Sequence, residues 1–236
     1  MIRHLFASAV VLVLGGCVGG TGPDGTPFSG IGATARPERG PSGASAVIAR
    51  VEAVAERECR SRVRGLNCDY AIGVDPDASA PPNAFQTVDE SGRPRITLTR
   101  RLIAQMRNDD ELAFVLGHEA AHHIAGHIPR KVADANAGAL VLGTLAVLGG
   151  ASEDDLQMAV DLGAELGSRR YSKEYELEAD ALGAAITWKA GYDPELGAAY
   201  FARIENPGDR CLGTHPPNEA RLDVVRQTVA RLHGGV

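Results

Sequence analysis

The spacing of apolar residues predicts one helix followed by three short strands in the first half of the chain. Over residues 45–62, Val47, Val51 and Val54 share one helical face among charged positions. Residues 68–74, 84–88 and 95–99 have the alternating, β-prone pattern of strands and are separated by turn-rich segments. Because short turns favour hairpins, we expect a small antiparallel sheet.

The second half of the chain has helical patterns throughout. A short helix over residues 100–107 precedes a long helix, which begins at the capping residue Asn108 and is expected to end at Pro129. The apolar run 139–148 is too short to span a bilayer and indicates a buried helix or one that lies against a membrane; with residues 152–167 it indicates a helical hairpin. Three more helices are expected over residues 172–190, 194–205 and 218–232. The predicted fold class is therefore α+β and mainly helical.

Composition and charge limit the class of protein. The chain has 236 residues and 44% hydrophobic content, which suffice for one ordinary domain. Its formal net charge is −6, and no run rich in lysine and arginine interrupts the sequence. The electrostatic footprint of a nucleic-acid-binding protein is therefore missing, and we exclude nucleic acid as a partner. We expect one globular domain over residues 46–236.

The first residues have the pattern of a bacterial lipoprotein signal. Arg3 precedes the apolar run 5–14, which has signal-peptide length, and the run ends in LGGC at Cys17. This ending resembles the lipobox, in which the cysteine is acylated; an ordinary signal peptide is the alternative. We expect a signal peptide over residues 1–16, then lipidated Cys17 and a flexible Gly/Pro/Ser-rich tether over residues 17–45. Resemblance to known sorting signals favours the periplasmic side of the outer membrane.

Three further cysteines could form a disulfide in an oxidising compartment. Cys59 and Cys68 would close a short loop and leave Cys211 unpaired. The sequence leaves the other two pairings open. A structural zinc site is less favoured, because these cysteines lack closely paired spacing.

The strongest chemical signal is HEAAH, from His118 to His122. One helical turn apart, both imidazoles project from one face and can bind the same metal ion. Glu119 lies a quarter turn away, where it can reach a water molecule without being a ligand. A metzincin would have its third histidine at Ile128, so that subclass is excluded.

Two other histidines follow in the same predicted helix. His127 is nine positions from His118 and would face the opposite side of an uninterrupted helix. We interpret His123 and His127 as structural residues.

A catalytic zinc usually takes three protein ligands, so one ligand must come from another segment. Glu176 and Asp180 share one face of the predicted helix 172–190. Glu176 can complete the metal shell, while Asp180 can bond the outer nitrogen of a ligand histidine. Glu174 and Glu178 point elsewhere and are interpreted as solvated charges.

In this order, the motifs resemble the metallopeptidase family of the HtpX heat-shock protease and the CAAX prenyl endopeptidases, in particular its periplasmic lipoprotein members. The resemblance covers about residues 83–221. The motifs that carry it are RITLTRRLI, DELA, HEAAH, the run SKEYELEAD from Ser172 to Asp180, and the late THP that contains His215. Lys173 stands where the family usually has arginine. The resemblance implies a zincin-like domain with one Zn²⁺ per chain.

The resemblance also implies roles for individual residues. These are zinc ligation by His118, His122 and Glu176, general-base catalysis by Glu119, support of a ligand histidine by Asp180, and oxyanion stabilisation by His215. The implied activity is zinc-dependent endopeptidase cleavage of polypeptides in the cell envelope, including misfolded envelope or outer-membrane proteins. We expect strand 95–99 to form the sheet edge along which an extended substrate aligns. The alternatives are an outer-membrane assembly chaperone with a latent zinc site, and a structural lipoprotein in which zinc is only a staple.

Overall fold

The computed structural model describes residues 43–206, 208, 213 and 215–235. The predicted signal peptide, Cys17 and the tether up to residue 42 lie outside this part of the chain, as does Cys211. The predictions made for them stay predictions.

The elements follow one another as the mainly helical α+β prediction requires, and that fold class is confirmed. They are α1 (Ala44–Arg62), β1 (Ala71–Val74), β2 (Ala84–Val88), β3 (Pro94–Leu98), α2 (Arg100–Gln105), α3 (Asp109–Ile124), α4 (His127–Leu148), α5 (Glu153–Arg170), α6 (Ser172–Lys189), α7 (Pro194–Ala198), a 3-10 turn (Ala199–Ala202) and α8 (Asn218–His233).

The three-stranded sheet is mixed, with the strand order β1-β3-β2. The predicted hairpin is present between β2 and β3, which are antiparallel. The prediction was wrong for β1, which pairs in parallel with β3 because the chain crosses over between β1 and β2. The start of β2 is held beside the end of β3 by a hydrogen bond, which the Asn83 amide donates to the Thr99 hydroxyl at 2.9 Å. β3 is therefore central and cannot be the substrate-aligning edge; β2 is the edge that contacts α3.

The helices α3 and α6 approach so closely that glycine is required between them. A Cβ atom on Gly117 would lie 2.7 Å from the carbonyl oxygen of Gly183, and one on Gly183 would lie 2.8 Å from the amide nitrogen of His118. Any larger residue at either position would force the helices apart. This contact sets the distance between the HEAAH segment on α3 and Glu176 on α6.

The long helix predicted to end at Pro129 ends earlier. α3 ends at Ile124, Gly126 takes a left-handed conformation with φ of 65°, and α4 begins at His127. Glycine adopts this conformation without steric cost, and a proline in the first turn of a helix loses no intrahelical hydrogen bond. Pro129 therefore lies inside the start of the next helix, and the chain direction changes just before His127.

The predicted helical hairpin is present as α4 and α5, which pack against each other. α4 begins at His127 and is therefore longer than the apolar run 139–148 that predicted it. Among the described residues it is the one helix that is long and apolar enough to span a membrane by length and composition.

A disulfide joins Cys59 at the end of α1 to Cys68 before β1. Replacing both cysteines by alanine is expected to lower the free energy of unfolding by about 2–3 kcal/mol, because the unfolded chain loses a short closed loop. Urea denaturation measures the change. Reductant should lower the stability of the wild-type protein by the same amount and leave that of the double variant unchanged. Equal stability of the two proteins under oxidising conditions would contradict the prediction.

Candidate metal centre

The structure brings the three predicted ligand side chains together. The Nε2 atoms of His118 and His122 lie 3.0 Å apart, and the Glu176 carboxylate oxygens lie 3.5 Å from the first and 3.4 Å from the second. Ligand atoms around a tetrahedral zinc ion are separated by roughly 3.3–3.5 Å, given bonds of about 2.0–2.2 Å. Two imidazoles and one carboxylate at these distances fit a zinc ion.

His118, the first of the predicted ligands, is oriented by a buried ion pair. Asp180 Oδ1 lies 2.9 Å from His118 Nδ1, so that the His118 Nε2 atom faces the other ligands. The guanidinium of Arg221 donates to both Asp180 oxygens, at 2.7 and 2.8 Å. Arg221 was missed in the sequence; the available signal was a charged residue at helical spacing from the apolar residues Val225 and Val229.

The carboxylates of Asp180 and Glu176 stabilise positive charge at His118. Burial lowers the pKa of His118, but hydrogen bonds to Asp180 and Glu176 outweigh burial and raise this pKa to about 10. Burial raises the pKa of Glu176, yet hydrogen bonds to His118 and His215 hold that pKa far below its usual range. The carboxylate of Glu176 is therefore ionised and available as a ligand.

The second ligand histidine is supported by His127. The Nδ1 atoms of His122 and His127 lie 2.8 Å apart, and His127 Nε2 lies 3.2 Å from Glu178 Oε2. If His122 offers Nε2 to a metal, its Nδ1 carries the proton and donates to His127, which in turn donates to Glu178. The predicted opposite orientation of His127 was wrong, because the helix is interrupted at Gly126.

The environment of His127 is itself fixed. Its ring stacks on Tyr175 at 4.9 Å between centroids, and Arg130 donates to Glu178 at 2.7 Å. Glu178 is therefore not the purely solvated charge expected from sequence, although its side chain is 47% exposed. The three residues hold the imidazole that contacts the ligand His122.

His123 faces away from this cluster. Its Nε2 donates to the carbonyl oxygen of Asn67 at 2.8 Å, and its ring meets Tyr70 edge-on at 5.5 Å. Burial lowers the pKa of His123 and favours the neutral ring. This placement agrees with its interpretation as a structural residue.

Glu119 and His215 lie in the cleft onto which the ligand cluster opens. Burial raises the pKa of Glu119, and although His118 and Arg221 act against this rise, Glu176 adds to it. The raised pKa makes the carboxylate a stronger base. His215 Nδ1 lies 3.3 Å from Glu176 Oε2, and the His215 side chain is 57% exposed. Both side chains can therefore reach a molecule in the cleft.

The cleft has a volume of about 1090 Å³ and is bounded on one side by Phe85 and Gln86 of the edge strand β2. Tyr200 and Arg203 lie among the other lining residues. Sites for small molecules usually measure about 300–1,000 Å³. The size and the open strand edge suit an extended polypeptide.

Comparison with known proteins identifies the family of this chain. The sequence profile of peptidase family M48 matches residues 47–229. The chain is 30% identical over 149 residues to the putative beta-barrel assembly-enhancing protease of Vibrio cholerae, covering 56% of this chain and 30% of that protein. It is 27% identical over 137 residues to the mitochondrial metalloendopeptidase OMA1 of Arabidopsis thaliana, covering 56% of this chain and 27% of the relative.

A third relative, OMA1 of Schizosaccharomyces pombe, is 26% identical over 189 residues, which are 78% of this chain and 51% of that protein. The chain thus spans about half or less of the length of these curated relatives. The family profile covers far more than half of the chain itself and includes both segments of the candidate metal centre. The chain therefore belongs to peptidase family M48.

Proposed function

We propose that this chain is a zinc-dependent endopeptidase. The proposal rests on one observation above all: His118, His122 and Glu176 converge with ligand spacing on the floor of a cleft that also contains the basic carboxylate of Glu119. The family and the names of the chain's relatives, metalloendopeptidase and protease, support the same activity.

Each residue has a distinct part in the proposed hydrolysis. A bound zinc ion would supply Lewis acidity, which polarises a carbonyl group and lowers the pKa of water. Glu119 takes a proton from the attacking water and returns it to the leaving amine. His215 donates a hydrogen bond to the oxyanion that develops on the substrate. Asp180 and His127 hold the imidazoles of His118 and His122 in the tautomers that leave Nε2 free for the metal.

The edge strand β2 is our candidate for substrate alignment, in place of β3. β2 is paired on one side only, and its residues Phe85 and Gln86 line the cleft beside Glu119. An extended polypeptide can add to such an edge through main-chain hydrogen bonds that do not depend on its sequence. This mode of binding suits a peptidase that acts on unfolded proteins.

We further propose that the substrates are envelope proteins, including misfolded outer-membrane proteins, and that the chain is a periplasmic lipoprotein anchored at Cys17. The name beta-barrel assembly-enhancing protease of a bacterial relative and the lipobox-like LGGC support this setting. Replacing Cys17 by serine is then expected to release the protein from the membrane fraction and to abolish labelling with palmitate. Membrane attachment that survives this replacement would contradict the anchor but not the peptidase.

The peptidase proposal is tested by incubating the purified full chain with casein and with an unfolded β-barrel precursor. Fragments should form, should cease to form with 1,10-phenanthroline, and should return when zinc is restored. Suppressed aggregation without fragments would instead support the assembly chaperone. Unfolding on chelation without any proteolysis would support a purely structural zinc site.

The contact between His127 and the ligand His122 leads to a prediction that needs no activity assay. Replacing His127 by glutamine is expected to weaken zinc binding by about 10–100-fold, because the outer nitrogen of His122 loses its partner. Competition with a chromophoric chelator measures the affinity. The matched control is His123→Gln, which removes a neighbouring buried histidine away from the cluster; equal affinity losses in the two variants would contradict the positioning role.

A further inference from the structure

The hairpin of α4 and α5 exposes large apolar side chains. Leu140, Leu145 and Leu148 on α4 are 71%, 60% and 78% exposed, and Met158 on α5 is 67% exposed. On α4 the uncharged stretch from residue 135 to residue 148 carries this surface. A contiguous apolar surface of this kind usually marks a site of association.

These side chains are not needed to hold the hairpin together. The two helices meet through glycines: a Cβ on Gly138 would lie 2.0 Å from the carbonyl oxygen of Gly163, and one on Gly167 would lie 2.1 Å from that of Asp134. The glycines therefore face the partner helix, where Val160 and Leu156 pack against Gly143, while Leu140, Leu145, Leu148 and Met158 face outward. This is the reverse of a hairpin that buries its own apolar side chains, so the outward residues require another partner.

The charges of the hairpin are divided along its length. Residues 132–168 contain six acidic residues and no lysine or arginine. Three of the acids, Glu153, Asp154 and Asp155, lie at the tip, whereas Asp134 and Glu165 lie nearer the base. The base of the hairpin carries Arg130, Lys131, Arg169 and Arg170, four basic residues. Arg130 pairs with Glu178 and Arg169 with Glu165 in the same chain, and all four still give the base an excess of positive charge over the tip. An anionic membrane surface attracts basic and not acidic segments, and the charges along α5 oppose its burial in hydrocarbon. A lipid bilayer is therefore a poor partner for this surface.

A second copy of the same hairpin matches both the apolar surface and the charges. We propose that two copies of the chain pair through α4 and α5 in antiparallel orientation about a two-fold axis. The acidic tip of each copy then lies beside the basic base of the other, and the apolar faces of α4 are buried between them. α4 has 22 residues, so the contact is about 33 Å long.

The pairing has a consequence for the cleft. Ile128 and Lys131, at the base of α4, line the cleft of their own copy. The tip of the second copy would therefore lie at the entrance through which a polypeptide reaches the candidate metal centre. The pairing itself does not depend on peptidase activity, and its test uses none.

Cross-linking distinguishes antiparallel from parallel pairing. Ala137, which is exposed, lies at the midpoint of α4 and would meet its own counterpart near the two-fold axis, whereas exposed Leu148 would lie a full helix length from its counterpart. In the full chain, Ala137→Cys is expected to give covalent dimers with a short bismaleimide, and Leu148→Cys is not. The wild-type chain supplies the background from its native cysteines. Dimers from Leu148→Cys, or none from Ala137→Cys, would overturn the proposal.

Sedimentation equilibrium of the full chain tests the forces involved. Leu145→Glu combined with Leu148→Glu, both at exposed positions that leave folding intact, should raise the dimer dissociation constant at least about tenfold. Reversing the charges of the tip or of the base should raise the dimer dissociation constant to a similar degree. The tip variant is Glu153→Lys, Asp154→Lys and Asp155→Lys, and the base variant is Arg169→Glu and Arg170→Glu. A mixture of the two reversed proteins should recover association, because opposite charges face each other again. Monomers throughout, or a monomer that sediments with phosphatidylglycerol vesicles through Leu145 and Leu148, would overturn the proposal.

Discussion

Replacement of Glu119 by glutamine is expected to lower the rate of peptide cleavage at least about 100-fold while zinc stays bound. Glutamine has nearly the shape of glutamate but cannot accept the proton of the attacking water. The ligand atoms of His118, His122 and Glu176 are unchanged, so the metal site stays intact. The kcat/KM for a peptide substrate and the zinc content by mass spectrometry measure the two effects.

The appropriate control is Glu174→Gln, which removes an exposed carboxylate from α6 outside the ligand cluster and should leave both quantities unchanged. Glu176→Gln should reduce zinc binding as well as activity, because it alters a ligand. The three variants therefore distinguish loss of the general base, loss of a metal ligand and loss of a negative charge elsewhere on the protein. Cleavage by Glu119→Gln at close to the wild-type rate would show that another group accepts the proton.

Replacement of Asp180 by alanine is expected to have the largest effect on stability. Asp180 is fully buried and receives two hydrogen bonds from Arg221, which is also buried. Removing the carboxylate leaves the guanidinium with only Glu176, at 3.8 Å, as a counter-charge and without its two hydrogen bonds, and should lower the free energy of unfolding by about 3–5 kcal/mol. It also releases His118, so zinc affinity should fall by about 10–100-fold. Urea denaturation with chelator present isolates the first effect, and chelator competition measures the second.

A double variant separates the two roles of Asp180. Asp180→Ala with Arg221→Met removes both charges and should recover most of the lost stability, because no ion is left buried without a partner. Zinc affinity should stay low, since His118 Nδ1 still lacks its acceptor. Asp161→Ala, at an exposed position of α5, is the surface control and should change neither quantity. Recovery of zinc affinity in the double variant would contradict the positioning role of Asp180.

Much of the candidate metal centre could be predicted from the sequence, because the spacing of its residues is local information. The spacing of His118 and His122 is one helical turn, and Glu176 and Asp180 are also one turn apart, so each pair shares a helix face wherever the helix lies. The same locality explains the confirmed capping of α3, where Asn108 accepts a hydrogen bond from the amide of Glu111 at 2.8 Å.

One error arose from a local break in a helix and the other from the order of the strands. The helix expected to continue through residue 127 is broken by the left-handed Gly126, and this break turns His127 toward His122. The parallel pairing of β1 with β3 depends on the path of the chain between β1 and β2, which hydrophobic alternation does not encode. The edge strand β2 was therefore missed as the wall of the cleft.

By itself, the sequence determined which residues can carry the chemistry: the HEAAH helix, the paired carboxylates of α6 and the fold class that holds them. Only the tertiary structure decided that α3 and α6 meet at Gly117 and Gly183, that Arg221 reaches Asp180 from α8, and that β2 borders the cleft. The physical reason is the range of the interactions. Helical spacing and capping act within a few residues, whereas close packing, buried ion pairs and strand order join residues that are far apart in the chain.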